Sequence, residues 1–124
     1  MTAGADVGRR RVTRLLAAAG LAWGLALLIR PQPVVAALAP EFPPDRLWLA
    51  RVLGGRLVVQ HAGTLAAPTH TRVLFHSGID LLHAASMVPL LRSPRYGRAA
   101  RISGGVAAAY AAAAPAVAPR SDPR

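Results

Sequence analysis

The chain has 124 residues, which is enough for one domain, and 53% of them are hydrophobic, with a mean hydropathy of +0.35. It contains no Cys, which excludes disulfides, thiol catalysis and zinc sites built from Cys. Fifteen basic residues, all of them Arg, against five acidic residues give a net charge of +10. These Arg residues flank apolar segments and aromatic residues are few, so we expect anionic lipid head groups rather than nucleic acid as the partner of this charge.

The first long apolar segment predicts a membrane helix near the N-terminus. Residues 1–11 are basic and are expected to be disordered, whereas residues 15–29 carry no charge. Gly20 and Gly24 form a GxxxG pattern, and small residues at this spacing allow another helix to approach closely in lipid. This surface could pack against a helix of the same chain or of a second copy.

The same segment is also compatible with a secretory signal peptide. A basic start and a short apolar stretch are followed by Ala-Leu-Ala at 37–39, which has the pattern of a cleavage site. Pro40 would follow the cut, and further apolar segments lie downstream. We therefore favour an uncleaved first helix, with an exported helical protein as the alternative.

Five Pro residues lie within residues 31–46, and this segment is expected to be a connector because Pro cannot continue a helix interior. Three more helical segments follow, joined by a tight turn around residues 67–71 and by a basic loop at residues 92–101. The predicted helices cover residues 47–67, 72–91 and 102–114.

The third predicted helix of the chain, residues 72–91, carries one polar stripe on an otherwise apolar surface. At ~100° per residue its polar positions fall within about 80° of one another. The stripe consists of the polar residues Arg72, His76, Asp80 and His83, with Met87 on the same face. Asp80 would lie ~10 Å along the helix from its start, which is deep enough in a bilayer to require a polar partner.

The second helix can provide that partner. Because only a few residues join it to the third helix, the two must be antiparallel neighbours, and Asp80 should lie level with Val59 and Gln60. His83 is expected level with Arg56, and His76 level with Gly63. The residues Arg56, Gln60, His76, Asp80 and His83 are here called the polar seam.

Three functions are compatible with the polar seam. It can be a hydrogen-bonded clasp that fixes the packing of two helices, or a proton or ligand site, since ionisable groups inside a membrane mark functional sites. It can also be a metal or haem site in which His76, Asp80 and His83 act as ligands and His61 adds a further one. No catalytic residue is predicted, because Ser77, Ser86 and Ser103 belong to no recognisable catalytic pattern.

A resemblance to a known group rests on the polar positions. Arg-Val-Leu-Gly-Gly-Arg at 51–56, Gln60 and Asp80-Leu-Leu-His83 with Ser-Met at 86–87 resemble a pattern found in small actinobacterial membrane proteins. Those proteins are similar in layout to the four-helix DoxX-like proteins. The similarity covers about residues 47–114 and implies a four-helix membrane protein, without implying an activity.

We therefore expect an all-α protein, a four-helix transmembrane bundle with a Pro-rich connector between helices 1 and 2. The bundle would cover residues 12–118, followed by a disordered tail at 119–124. The expected function is that of a small structural or assembly subunit of the cell membrane, not an enzyme. It would have no cofactor, and its partner would be a second copy or another membrane protein. The alternative is a membrane redox or transport component that uses Asp80 with His76 and His83.

Charge does not decide the orientation of such a multi-pass protein. Four crossings would divide the Arg residues outside the helix interiors equally, with seven on each side. A cytoplasmic N-terminus is expected because the first helix usually dominates. The N-terminal side would hold Arg9, Arg10, Arg11, Arg14, Arg72, Arg120 and Arg124, and the other side Arg30, Arg46, Arg51, Arg92, Arg95, Arg98 and Arg101.

Overall fold

The computed structural model describes residues 2–120 and residue 122, and this part of the chain is all-helical, with no strand. It contains five α-helices and two short 3-10 turns, at Pro44–Arg46 and Val88–Leu90. The helices are α1 (Thr2–Ile29), α2 (Pro31–Leu38), α3 (Leu47–Ala66), α4 (His70–Met87) and α5 (Gly97–Val117).

Helices α1 and α3 are antiparallel and pack together through glycine. A Cβ atom added at Gly54 would lie 2.6 Å from the carbonyl oxygen of Gly24, so only the absence of side chains at this crossing permits the approach. Gly20 lies against the ring of His61, and Arg14 Nε donates to the carbonyl oxygen of Leu65 at 3.3 Å. The GxxxG pattern of α1 is therefore occupied by α3 of the same chain.

Helices α4 and α5 form a second antiparallel pair, and α5 returns to α1. Gly104 on α5 lies against Met87 on α4. Tyr110 on α5 donates its hydroxyl proton to the carbonyl oxygen of Leu16 on α1 at 2.7 Å. The four long helices thus alternate in direction, and α3 and α4 meet across the remaining side.

Small residues make up much of the interior, together with Leu27, Leu57 and Val73, and many other large apolar side chains point outward. Val59 is 76% exposed and Leu82 74% exposed, although both lie in the middle of long helices. Other exposed large side chains on the helices include Leu15, Val52, Phe75 and Leu81. The buried small residues include Ala17, Gly20, Gly24, Gly54, Ala100, Gly104 and Ala107.

Two helical segments of the described chain, Gly4–Ile29 and His70–Leu90, are long and apolar enough to cross a membrane. They belong to α1 and α4. Little of either segment is buried inside the fold, because each turns most of its apolar surface outward.

The Pro-rich connector differs from the sequence-based expectation because it contains the helix α2. Pro31 occupies the first position of this helix and Pro33 its first turn, where an intrahelical backbone N–H bond is not required. The expectation of four helices therefore missed a short fifth one.

The N-terminal residues also differ from expectation. Helix α1 begins at Thr2, so the described part of residues 1–11 is helical rather than disordered. Arg9 Nη1 donates to the carbonyl oxygens of Ala116 and Ala118 at 3.1 and 3.2 Å, which ties this extension to the end of α5. In the expected tail, residues 121, 123 and 124 lie outside the described residues.

Candidate functional site

Asp80 is the centre of a buried polar cluster between α3 and α4. Its carboxylate accepts hydrogen bonds from Gln60 Nε2 at 3.1 Å on both oxygens, and Arg56 Nη1 lies 3.5 Å from Oδ1. Arg56 also donates to Gln60 Oε1 at 3.0 Å. The Asp80 side chain is 5% exposed and that of Arg56 is 28% exposed. The buried carboxylate is thus paired with one cation and hydrogen-bonded by one amide, and such partners offset the free-energy cost of burying a charge.

One helical turn further along, Thr64 joins His76 to α3. Thr64 Oγ1 lies 3.2 Å from the carbonyl oxygen of Gln60 and 3.0 Å from His76 Nδ1. A hydroxyl has one proton and a carbonyl oxygen can only accept, so both bonds form together only when His76 Nδ1 donates. The neutral ring then leaves Nε2 as an acceptor.

His83 forms its hydrogen bond with α5. Its Nε2 lies 2.5 Å from the hydroxyl oxygen of Ser103, and either atom can donate, depending on the tautomer of the ring. The sequence places His83 level with Arg56. The two residues line one common cavity, and the hydrogen bond of the His83 ring is with Ser103. The polar seam therefore also contacts a third helix, α5, through Ser103, a partner that no pattern in the sequence indicated.

His61 lies on the side of the cluster that faces α1. It is 5% exposed and packs against Gly20, with its ring centroid 5.0 Å from that of Tyr110. The glycine on α1 provides the space for the imidazole, so Gly20 and His61 form a matched pair. His61 belongs to the same interior as Asp80, and the two residues line the same small cavities.

Two cavities of water-molecule size border Asp80. The first has a volume of about 20 Å³ and is lined by Gln60, His76 and Ser77 among others. The second, of about 10 Å³, is lined by Arg56, Ser103 and Tyr110 among others. His61 and Asp80 line both cavities. The Ser77 hydroxyl is buried and has no hydrogen-bond partner in the described chain. A polar space needs roughly 10–15 Å³ to hold a water molecule, so these cavities are of suitable size and polarity for one each.

The described residues contain no group of three or more His, Asp or Glu side chains with the proximity needed to hold a metal ion. His76 and His83, the two imidazoles of the metal alternative, bond to Thr64 and Ser103 respectively. The chemistry that the cluster offers is hydrogen bonding and proton exchange among an ion pair, an amide, hydroxyls and imidazoles.

Comparison of the chain with protein-family models, with curated proteins and with solved structures finds no match. The resemblance to DoxX-like proteins therefore stays a prediction from the polar positions.

Proposed function

We propose that this chain is a small multi-pass membrane protein whose buried polar cluster clasps its helices together, and that it acts as a structural or assembly subunit. In this proposal α1, α3, α4 and α5 cross the bilayer. The connector with α2 and the loop before α5 lie on one side, and the turn between α3 and α4 lies on the other.

The observation that carries this proposal is the distribution of side-chain size. Small residues make up much of the interior, while Val59, Phe75 and Leu82 are mostly exposed. A water-soluble domain rarely leaves so many large apolar side chains exposed, because each one forgoes about 1.5–3 kcal/mol of burial free energy by staying in water. In a bilayer the same surface is solvated by acyl chains, and small residues let the helices approach closely.

The packing of α1 argues for an uncleaved first helix. Removal of α1 would expose the His61 ring, which is now buried beside Gly20, and would uncover Gly54. Tyr110 would also lose its acceptor, the carbonyl oxygen of Leu16. We therefore propose that α1 is a permanent part of the bundle.

The role of a clasp follows from the hydrogen bonds of Asp80. The bonds from Gln60 and Arg56 cross from α3 to α4, and the backbones of these two helices approach each other closely at few other positions. Inside a membrane an unpaired carboxylate would cost several kcal/mol, so these bonds favour one arrangement of the two helices.

Alkaline carbonate extraction of membranes that contain the full chain tests the proposal. We expect the protein to remain in the membrane pellet and to require detergent for release. Its appearance in the carbonate supernatant would refute a multi-pass protein and favour the exported helical alternative. A mature N-terminus downstream of residue 39 would refute the uncleaved first helix.

A second candidate function is supported by the two small cavities around Asp80. Water in them would connect His76, Asp80 and Tyr110, so the cluster could pass protons in a membrane transport or redox component. Proton flux into liposomes that hold the purified protein tests this function. It predicts a flux that Asp80→Asn abolishes and Ser86→Ala, at an exposed position of α4, does not. Equal flux through protein-free liposomes would exclude it, and an absorbance spectrum of the same sample would reveal haem.

A further inference from the structure

A larger, apolar cavity of about 410 Å³ lies at the end of the fold that contains α2. Its volume falls within the range of roughly 300–1,000 Å³ that is typical of small-molecule sites. It is lined by the second half of α1, α2, the connector, the first half of α3, the end of α4 and the start of α5. Its walls are mostly aliphatic and include Val34, Val35, Leu53, Met87 and Leu90.

One end of this cavity adjoins the polar cluster. Arg56, His83 and Ser103 line it, and Arg56 and Ser103 also line the small cavity beside Asp80. The other polar groups of the seam do not border the large cavity. It is therefore an apolar space that ends at hydrogen-bond donors.

The side of the cavity opens toward the surface of the bundle. Leu38, Leu49 and Val52 line it and are 41%, 39% and 63% exposed. A long apolar molecule could therefore enter between α2 and α3 from the surrounding bilayer, without passing a charged group.

The charges at the inner end favour a neutral head group. Asp80 already compensates the charge of Arg56, so an ionised head group would add an unpaired charge to a site of low polarity. Both recorded hydrogen bonds of Arg56 to Gln60 and Asp80 use Nη1, and a guanidinium has further N–H donors on Nε and Nη2. These donors and the Ser103 hydroxyl suit an uncharged acceptor oxygen.

We propose that this cavity binds a single-chain amphiphile with a neutral, oxygen-bearing head group, such as a monoacylglycerol. The acyl chain lies along the aliphatic walls, and the head group accepts hydrogen bonds near Arg56 and Ser103. This binding function goes beyond the proposed role as a subunit, and it can be measured whether or not all four long helices cross the bilayer.

Tryptophan quenching provides the test. The chain has two Trp residues, and Trp23 lines the cavity at its polar end, so the full-length Trp48→Phe protein reports on that site alone. The probe is a monoacylglycerol brominated near the head group, added at low mole fraction to nanodiscs of unlabelled phosphatidylcholine. We expect saturable quenching, stronger than that by the same lipid brominated at the methyl end. Quenching that rises linearly without saturation, or that is stronger from the methyl end, would overturn the proposal.

Two blocking variants, each with a matched control on the same helix, separate a loss of binding from a general effect of a larger side chain on the fold. Ala50→Phe on α3 and Ala99→Leu on α5 place a larger side chain in the cavity. Ala62→Phe and Ala109→Leu place the same side chains at exposed positions outside it. We expect the blocking variants to weaken binding by at least about tenfold relative to their controls. Equal affinity within both pairs would refute the site.

The head group is tested with the brominated fatty acid of the same chain length at alkaline pH, where its carboxyl group is ionised. We expect it to bind at least about tenfold more weakly than the monoacylglycerol, because its charge has no partner beside the Arg56–Asp80 pair. Equal or tighter binding of the ionised acid would overturn the assignment of a neutral head group.

Discussion

Gln60 donates its amide protons to both carboxylate oxygens of Asp80, at 3.1 Å each, and this contact joins α3 to α4 inside the bundle. The two residues are 20 positions apart in the sequence. They meet because the turn between the helices is short and the helices are antiparallel. Arg56 completes the arrangement from one turn earlier on α3, with its charge opposite that of Asp80.

Replacement of Asp80 is expected to be among the most destabilising changes in the cluster. Asp80→Ala leaves Arg56 without its counter-charge in a largely buried setting, and the loss of one partner of a buried pair typically costs ~3–5 kcal/mol. Asp80→Ala combined with Arg56→Leu should be more stable than Asp80→Ala alone. Unfolding in detergent, followed by circular dichroism, measures both differences.

The exposed ion pair between Arg98 and Glu41 is the control for these Asp80 and Arg56 variants. Its side chains are 58% and 33% exposed, so Glu41→Ala should cost at most about 1 kcal/mol. If the effects of the Asp80 and Arg56 changes are simply additive, the two residues do not interact and the proposed clasp is wrong.

Alanine is expected to have opposite effects at Gly54, which lies against Gly24, and at Gly105, which faces open space. Gly54→Ala would place a methyl group 2.6 Å from the Gly24 carbonyl oxygen, and such overpacking costs about 1–3 kcal/mol. Gly105→Ala meets no atom within 4 Å and should stabilise α5 by up to about 1 kcal/mol. Thermal unfolding of both variants in detergent checks the pair. A harmless Gly54→Ala would mean that α1 and α3 do not pack at this crossing.

Near the C-terminus, the Asp122 carboxylate accepts hydrogen bonds from Thr71 at the start of α4, and this contact should depend on pH. Hydrogen bonds from Thr71, first from its side chain and then from its backbone, lower the pKa of the Asp122 carboxyl group below its usual value. A carboxyl group with a lower pKa in the folded state stabilises the fold above its unfolded pKa and loses that effect as the pH falls through the folded value. Thr71→Val should therefore lower the melting temperature slightly at neutral pH and leave it unchanged in strong acid.

Thr71→Ser keeps the hydroxyl donor and serves as the control for this measurement. The effect should be small, because the Asp122 carboxylate is fully exposed to solvent. A difference between wild type and Thr71→Val that persists unchanged at low pH would show that the hydroxyl acts through something other than Asp122.

The sequence predicted the meeting of α3 and α4 because two strong constraints act together. A turn of a few residues fixes the direction of the helices, and helical periodicity then sets which residues face each other. Gln60 and Asp80 accordingly lie level, while His76 bonds to Thr64, one residue beyond the expected Gly63. An error of one residue is what an uncertain turn length produces.

The sequence did not predict the partner of His83, because each helix in a closed bundle has two neighbours. Periodicity gives the direction of a side chain on its own helix, but it does not say where the boundary between two neighbouring helices falls. His83 lies on the α5 side of that boundary and bonds to Ser103. The helix α2 was missed for a different reason, since Pro33 lies in a first turn, where a missing N–H is tolerated.

The central claim, that the helices cross a bilayer, is tested most directly by labelling engineered cysteines from one side of the membrane. The chain has no Cys, so each single variant carries one reactive site. Ala37→Cys in α2, Arg95→Cys before α5 and Ala66→Cys at the end of α3 are all at exposed positions. In sealed vesicles, a membrane-impermeant maleimide should label Ala37→Cys and Arg95→Cys from the same side and Ala66→Cys only from the opposite side. Labelling of all three variants from one side would contradict a bundle that spans the membrane.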